Sequence, residues 1–308
     1  MAADAPKIAR GERVALVLGA GGARGLAQIG VIEALQARGL NIVAVAGSSS
    51  GALVGGLFAA GKLGAYRDWL FGLSRTDMLR LLDPVFGSAA LFRGHRLMQA
   101  LRELTGHVRI EELPVDFTAV AVDLLRQREV WLREGDLWDA VRASIAIPGL
   151  FTPYEVHGRE LVDGGLLAPL PIAATRLSDA HRLIAVDMHG WPQRPPGSPA
   201  EPGREDAREA PSRSRLGEWF ERRLHRDAQA AEADGPVQHP PVGFTELMAR
   251  SLDTMQAQIA RVQLALDPPE LVIRIPRDAC QFYEFWRAKE LIQIGRAEAD
   301  KALDAAGY

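Results

Sequence analysis

Residues 43–61 read VAVAGSSSGALVGGLFAAG, and they are the part of the chain that is most informative about its fold. An apolar, β-branched run ends at Gly47, and a helical pattern of small residues begins at about Gly51. Ser49 lies between them at the centre of a Gly-x-Ser-x-Gly turn, which holds a serine on a sharp bend between a strand and a helix. Side chains at the two glycine positions would crowd such a turn. Ser49 is therefore the candidate nucleophile, and the alternative is that the three serines only cap the following helix.

A glycine-rich loop precedes this turn by one strand. Residues 13–18 (RVALVL) have the pattern of a buried strand, and residues 19–25 (GAGGARG) lead from it into a helical pattern that ends at Gly39. A loop of this kind, entering a helix, leaves several backbone N–H groups unpaired and creates a site for negative charge. An ester hydrolase needs such donors for the oxyanion that forms when a serine attacks a carbonyl.

Two nucleotide-binding interpretations of these glycines are less favoured. In a dinucleotide fingerprint Arg24 would stand in place of the third glycine, and the second strand ends in residues 47–49 (GSS) without an acidic residue. Residues 56–62 (GLFAAGK) resemble a phosphate loop, but Leu63 replaces the required hydroxyl residue. The oxyanion hole fits better because the serine turn follows one strand later.

The candidate base is Asp163. In residues 159–171 (RELVDGGLLAPLP) a short apolar strand leads to Asp163 and then to Gly164-Gly165. The alternative is an ordinary Asp-Gly hairpin turn. A free aspartate has a pKa near ~3.9 and is a poor base at neutral pH. It could serve Ser49 directly if it were held within hydrogen-bond reach in a partly desolvated site.

A histidine would be the more familiar base, but the histidine positions do not favour one. None of the seven histidines is placed at a strand end or beside glycines as the aspartate is. The nearest candidate, His157, has the setting of a hairpin turn. His95 and His107 border helix ends, while His225 and His239 lie in a low-complexity stretch.

The motifs GAGGARG, GSSSG and DGG, in this order, resemble those of bacterial patatin-like phospholipases, whose serine works with an aspartate and no histidine. Residues 143–153 (ASIAIPGLFTP) are similar to the family's stretch before the catalytic aspartate, and residues 288–303 are similar to its C-terminal helix. The resemblance covers nearly the whole chain except about fifty residues after His189.

This resemblance assigns roles to individual residues. It implies that Ser49 is the acylated nucleophile and Asp163 is its base. It implies that Gly21 and Gly22 supply the oxyanion-hole amides, with Arg24 as the basic residue that positions this loop or a substrate phosphate. The other motif positions are Gly19, Gly47, Gly51, Gly164 and Gly165.

Three positions depart from the family pattern. Ala20 stands where many members have glycine, Gln28 replaces a histidine of bacterial relatives, and Ala168 replaces an asparagine before the proline. None of them removes a group of the dyad. They bear on substrate preference and on the support of the catalytic groups.

Alternating strand and helix patterns predict an α/β fold. The family resemblance implies, more specifically, a three-layer α/β/α patatin-like fold with a mainly parallel central sheet. We predict one hydrolase domain over residues 1–308, with a mobile insertion over residues 190–241 that is rich in proline and charge. Strand patterns cover residues 13–18, 42–46, 117–123, 128–132, 160–163, 182–187 and 271–275, and helical patterns cover residues 26–38, 50–60, 136–143 and 288–303.

Two apolar sets have more than one interpretation. One face of a long helix recurs at spacings of four and three residues and indicates packing on the sheet or a dimer seam: Met248, Leu252, Met255, Ile259, Val262 and Leu266. A cluster of aromatic residues either packs in the hydrophobic core or lines an acyl-chain pocket: Phe282, Tyr283, Phe285 and Trp286.

Composition narrows the class of protein. A net charge of −3, without a basic tract interleaved with aromatics, predicts no nucleic-acid partner. The single Cys280 suits a reducing compartment, and no Cys/His cluster has metal-ligand spacing, so we expect no metal or other cofactor. The N-terminus lacks the apolar stretch of a signal peptide and no run is long enough to span a bilayer, which predicts a cytoplasmic protein, at most peripheral to membranes.

These observations lead to one predicted function and two alternatives. We predict a serine lipid acyl hydrolase, like a phospholipase A or lysophospholipase, acting on phospholipid, lysophospholipid or another fatty-acyl ester. The first alternative is a general carboxylesterase or thioesterase acting on soluble esters. The second is a non-catalytic regulator that retains the fold.

Overall fold

The computed structural model describes residues 8–9, 11–83, 90–193 and 244–308. Almost all of the insertion predicted over residues 190–241 lies outside these described residues.

The chain divides into two compact units. One comprises residues 1–200 and 256–308 and contains the whole sheet, and the other comprises residues 201–255. Of the second unit, the described residues 244–255 form the first part of a helix. The single domain over the full chain stays a prediction.

The larger unit alternates strands and helices along the chain, much as the sequence patterns predict. The strands are β1 Arg13–Leu18, β2 Asn41–Ser48, β3 Asp116–Asp123, β4 Arg128–Leu132, β5 Tyr154–Val156, β6 Arg159–Asp163, β7 Arg182–Gly190 and β8 Leu271–Pro276. The helices are α1 Ala27–Ala37, α2 Ser50–Ala59, α3 Leu63–Phe71, α4 Arg75–Leu81, α5 His95–Thr105, α6 Leu137–Ser144, α7 Phe244–Leu266 and α8 Ala288–Ala305.

The strands form one mainly parallel sheet in the order β5-β6-β3-β2-β1-β7-β8, with β4 paired to β3. The central strands β3, β2, β1, β7 and β8 are parallel to one another. The pairs of β3 with β4, of β3 with β6 and of β5 with β6 are antiparallel. The carboxyl ends of the parallel strands therefore meet at one edge of the sheet, which is where ligands bind in open α/β sheets.

Helices cover both faces of this sheet. Because side chains alternate along a strand, Leu16 and Leu18 of β1 join a large core with α1, α2 and α8, while Val17 points to the opposite face. There Val17 packs with Ala185 of β7 and Ala260 of α7. This arrangement confirms the predicted three-layer α/β/α fold.

Glycines bring α1 and α8 into close contact. A Cβ atom on Gly30 would overlap the carbonyl oxygen of Ile292, and one on Gly295 would overlap that of Ala27. The two helices therefore pack backbone to backbone. This contact fixes the start of α1, into which the glycine-rich loop leads through a 3₁₀ turn at Gly22–Leu26.

The prediction that the heptad-like apolar face of α7 packs on the sheet is wrong for the part of the helix in the larger unit. Val262 and Leu266 are 56% and 79% exposed, whereas Gln256 and Ala260 are buried. The buried side of α7 is therefore the side that carries Gln256 and Ala260, rather than the side that carries Val262 and Leu266. Among the described helices, none is long and apolar enough to cross a bilayer.

Candidate active site

Ser49 occupies the turn between β2 and α2. β2 ends at Ser48 and α2 begins at Ser50, so Ser49 alone makes the connection. Its backbone has φ 57° and ψ −125°, a conformation that is strained for a residue with a side chain and is typical of functional sites. The strain is held by close packing, since a Cβ atom on Gly47 would overlap the carbonyl group of Gly51.

Two consecutive hydrogen bonds through Ser144 stabilise this turn. The Ser49 N–H donates to Ser144 Oγ over 3.0 Å, and the Ser144 hydroxyl donates to the carbonyl oxygen of Val120 over 2.6 Å. The turn is therefore tied to the end of α6 and to β3 at once. Sequence reasoning did not single out Ser144, although it lies within the stretch at 143–153 that resembles the family.

The pairing of β3 brings Asp163 to Ser49. One edge of β3 pairs with β2 as far as Val120, which is opposite Ser48. The next residue, Ala121, is opposite Asp163 of β6. β4 pairs with the opposite edge of β3. β6 therefore pairs with the same edge of β3 as β2 does, and its pairing begins where that of β2 ends. Two segments more than a hundred residues apart are thus neighbours at the carboxyl edge of the sheet.

The Asp163 carboxyl is buried, with only 2% of the residue exposed. Its Oδ1 accepts a hydrogen bond from the Gly165 N–H over 2.6 Å. Its Oδ2 is buried, and in the described part of the chain no donor reaches it with full hydrogen-bond geometry. Burial raises the pKa of this carboxyl to about 7, and the nearby Ser49 hydroxyl and the Gly165 amide offset part of that rise.

A carboxyl with this pKa can act as a base at neutral pH. With a pKa of about 7 the carboxylate form that accepts a proton is present at neutral pH, and it is a stronger base than an ordinary aspartate. Oδ2 has an open acceptor position beside the serine. The arrangement is suited to removing a proton from Ser49 as its oxygen attacks an electrophile.

The glycine-rich loop presents two unpaired amides. On either side of them, the Ala20 N–H donates to Pro169 O over 2.8 Å and the Ala23 N–H donates to Phe282 O over 2.9 Å. The Gly21 and Gly22 N–H groups donate to no acceptor within the described ranges. They are free to bind an anion, and in an acyl transfer that anion would be the tetrahedral oxyanion.

Arg24 orients this loop from within the protein. The residue is 4% exposed, and its guanidinium donates to Gly21 O over 3.4 Å and to Arg277 O over 3.0 Å. Since the C=O and N–H of a trans peptide point in opposite directions, a bond to Gly21 O turns the Gly22 N–H away from Arg24. These contacts support the loop-positioning interpretation rather than contact with a substrate phosphate.

Gln28 supports the same loop. Its side chain is fully buried in α1 and donates to Gly19 O over 2.7 Å. The residue that departs from the family pattern at this position therefore still makes a hydrogen bond to the glycine-rich loop.

His189 corrects the sequence-based statement that no histidine is placed at a strand end. β7 runs to Gly190, beyond the predicted end at residue 187, so His189 is the penultimate residue of a strand and precedes a glycine. Its Nδ1 lies 3.4 Å from Asp187 Oδ1. Burial favours a higher pKa for Asp187, but its hydrogen bonds with His189 bring the pKa below the usual value. β1 separates β7 from β2, which places this pair roughly 10 Å from the serine turn, too far for a direct hydrogen bond.

The fold and this geometry define a class: layered α/β proteins that hold a serine on the turn after a central strand. The sequence model of one family, described as patatin-like phospholipase, matches residues 16–176, which include all three glycine motifs. The chain belongs to the patatin-like phospholipase family. This membership supports lipid ester hydrolysis as the class of reaction.

Similar proteins extend the comparison. An uncharacterized NTE family protein of Mycobacterium bovis is 41% identical over 331 aligned residues, covering 95% of this chain and 92% of the relative. Lysophospholipase nte1 of Emericella nidulans is 32% identical over 193 residues, which is 58% of this chain but 12% of the fungal protein. Among solved structures, VipD from Legionella pneumophila aligns with a TM-score of 0.46 at 16% identity, covering 96% of this chain and 67% of that one.

Proposed function

We propose that this chain is a serine lipid acyl hydrolase, like a phospholipase A or lysophospholipase, that cleaves carboxylic esters through Ser49 and Asp163. The observation that carries the proposal is the open Oδ2 of a buried carboxyl beside a serine in a strained turn. A structural carboxylate would normally have its oxygens paired, because an unpaired buried polar atom is costly.

The first half of the reaction acylates the serine. Asp163 Oδ2 takes the Ser49 proton while Oγ bonds to the ester carbonyl carbon. The carbonyl oxygen becomes an oxyanion, which the Gly21 and Gly22 N–H groups stabilise. The bond to the leaving oxygen then breaks, and Asp163 returns its proton to that oxygen.

The second half releases the fatty acid. Water loses a proton to Asp163 and attacks the acyl carbon, and the same amides stabilise the second oxyanion. Collapse of this intermediate breaks the bond to Ser49 Oγ, which recovers its proton from Asp163. One carboxyl therefore serves both halves, which is consistent with a pKa near neutrality.

An aromatic side chain beside the oxyanion loop favours a fatty-acyl substrate. A Cβ atom on Gly22 would lie 2.5 Å from the Phe282 ring. Phe282 is half-buried and belongs to the aromatic cluster of the sequence analysis. The relative named as a lysophospholipase supports the same substrate class. A cytoplasmic location and peripheral membrane contact remain part of the proposal.

Hydrolysis of p-nitrophenyl esters of increasing acyl length, and of a lysophospholipid, tests the proposal. We expect Ser49→Ala and Asp163→Asn to lower kcat/KM by about 10³-fold or more with the fold retained. Ser48→Ala is the matched control because this neighbouring serine has no assigned role, and its activity should equal that of the wild type. Ser49→Ala with wild-type activity would exclude the assignment.

The acyl-length profile and the pH profile refine the test. A preference for long chains and lipid aggregates supports a lipid hydrolase, and a preference for short soluble esters supports the general esterase instead. A folded wild type inactive on every ester supports the non-catalytic regulator. Because the base must be ionised, kcat/KM should fall about tenfold per pH unit below about pH 7.

A further inference from the structure

A carboxamide from a distant helix reaches the site beside Asp163. Gln256 lies on α7, is 8% exposed, and is buried on the same side of the helix as Ala260. Its Nε2 is 2.7 Å from the point where a Cβ atom of Gly165 would lie. The Cβ of Ala20 and the Oδ1 of Asp163 are 2.8 Å and 2.9 Å from that same point. The carboxamide, the base and the oxyanion loop therefore converge on one small volume.

This carboxamide has no protein partner in the described ranges, since none of their hydrogen bonds includes it. Gln263, two turns later on α7, shows the contrast. Its Oε1 accepts from the Leu170 N–H over 3.1 Å, and its Nε2 donates to Leu167 O over 3.5 Å. Gln256 is 8% exposed, yet neither polar atom of its carboxamide belongs to the fully buried unpaired set, so the amide keeps some access to solvent. A largely buried carboxamide that has no protein partner and remains accessible beside a reactive carboxyl indicates a ligand.

The position of Gln256 selects the ligand atom. The ester carbonyl oxygen would point at the Gly21 and Gly22 amides, so the leaving oxygen must lie next to Asp163, which supplies its proton. The Gln256 Nε2 is a neighbour of the Asp163 carboxyl, because it and Asp163 Oδ1 lie within 2.7 Å and 2.9 Å of the same point beside Gly165. Resting on the proposed function, we propose that Gln256 binds the substrate by donating a hydrogen bond to the leaving-group oxygen of the ester.

The chemistry of this step is balanced without any further group. The bond between the acyl carbon and the leaving oxygen breaks, its electron pair goes to that oxygen, and the proton on Asp163 follows. Gln256 keeps its own proton and only stabilises the charge that develops before the proton arrives. An alkoxide of a glycerol ester needs this stabilisation, whereas p-nitrophenolate is a stable anion.

Two esters with the same acyl chain test the inference: a p-nitrophenyl ester and a monoacylglycerol. We expect Gln256→Ala to lower kcat/KM on the monoacylglycerol by about tenfold or more, and on the p-nitrophenyl ester by less than about threefold. Gln258→Ala is the matched control, because Gln258 is exposed on the same helix, and both activities should be unchanged. A purely structural role would lower both activities equally.

Gln256→Met keeps the volume without the donor, and it answers the question if the alanine variant does not fold. Equal losses on the two esters, or no loss on the monoacylglycerol in the methionine variant, would overturn the inference. In that case, Ser49-dependent hydrolysis by the wild type would leave the proposed function standing. A folded wild type that hydrolyses neither ester would overturn both.

Discussion

The amino and carboxyl ends of the sheet differ in how their charged and polar side chains are paired and buried. At the amino end, charged side chains are paired at the surface: Arg13 lies 3.3 Å from Asp179, and Arg182 lies 2.8 Å from Glu12. At the carboxyl end the polar groups are buried, and several lack partners in the described part of the chain. The Oδ2 of Asp163 is one of these, and it adjoins the strained backbone of Ser49.

The difference separates the groups that stabilise the fold from the groups that are kept for chemistry. Surface ion pairs contribute little to stability, and their loss is tolerated. A buried carboxyl with one unpaired oxygen and a strained serine both reduce stability, and such features persist where a ligand completes the site. The reactive groups at the carboxyl end of the sheet therefore lower the stability of the fold. Substitutions at the two ends should change the free energy of unfolding by different amounts and, at Asp163, in the opposite direction.

Closing the tight turn at the carboxyl end should have the largest effect. A Cβ atom on Gly51 would overlap the carbonyl group of Leu18, where backbone has to move. We expect Gly51→Ala to destabilise the protein by about 3–5 kcal/mol in urea unfolding and to abolish activity. Gly64→Ala is the control, because its Cβ would meet no atom within 4 Å and helix α3 should be unchanged or slightly more stable. Equal stabilities for the two variants would show that close packing at Gly51 does not hold the serine turn.

Removing the buried charge of Asp163 should raise the stability of the protein, whereas Gly51→Ala should lower it. The pKa of Asp163 is raised from 3.8 to about 7, so its ionised form destabilises the folded state. This cost is absent below about pH 4, grows as the pH rises to about 7, and is constant above that. We expect Asp163→Asn to be inactive yet more stable than the wild type by about 2–4 kcal/mol at pH 8, with little difference at pH 4. Urea unfolding at both pH values measures this, and an unchanged difference would contradict burial of an ionised carboxyl.

The smallest effect is expected at the amino end. Asp179 is 84% exposed in its ion pair with Arg13. Asp179→Asn should change the free energy of unfolding by less than about 1 kcal/mol and leave ester hydrolysis unchanged. The same urea and activity measurements apply. A loss of activity here would show that the two ends are coupled and would remove the distinction drawn above.

Local sequence patterns predicted most of the fold. Runs such as RVALVL and the change from strand to helix around GSSSG depend on side chains close together in the chain, and they located β1, β2 and α2 within two residues. The fold class is confirmed for the same reason. The motifs also indicated which serine, aspartate and glycines to consider, although their catalytic roles remain proposals.

The failures concern contacts between distant segments. The register of β3 that places Ala121 opposite Asp163 is set by backbone pairing, which no local pattern encodes. Ser144 and Gln256 lie on helices α6 and α7, and the helical periodicity of their sequences does not predict that these side chains contact the site. The apolar face predicted for α7 was wrong because the helix buries the side that carries Ala260 rather than the side that carries Val262 and Leu266, and this depends on contacts with distant segments such as Val17 and Ala185.

Covalent labelling with an alkyl fluorophosphonate, followed by peptide mapping of the modified residue, tests whether Ser49 is the nucleophile. We predict one adduct, on the peptide that contains residues 47–51 and located to Ser49. Labelling should be absent in Ser49→Ala, slowed strongly in Asp163→Asn, and should rise with pH through about 7. An adduct on any other residue, or labelling of Ser49→Ala at the wild-type rate, would show that Ser49 is not the nucleophile.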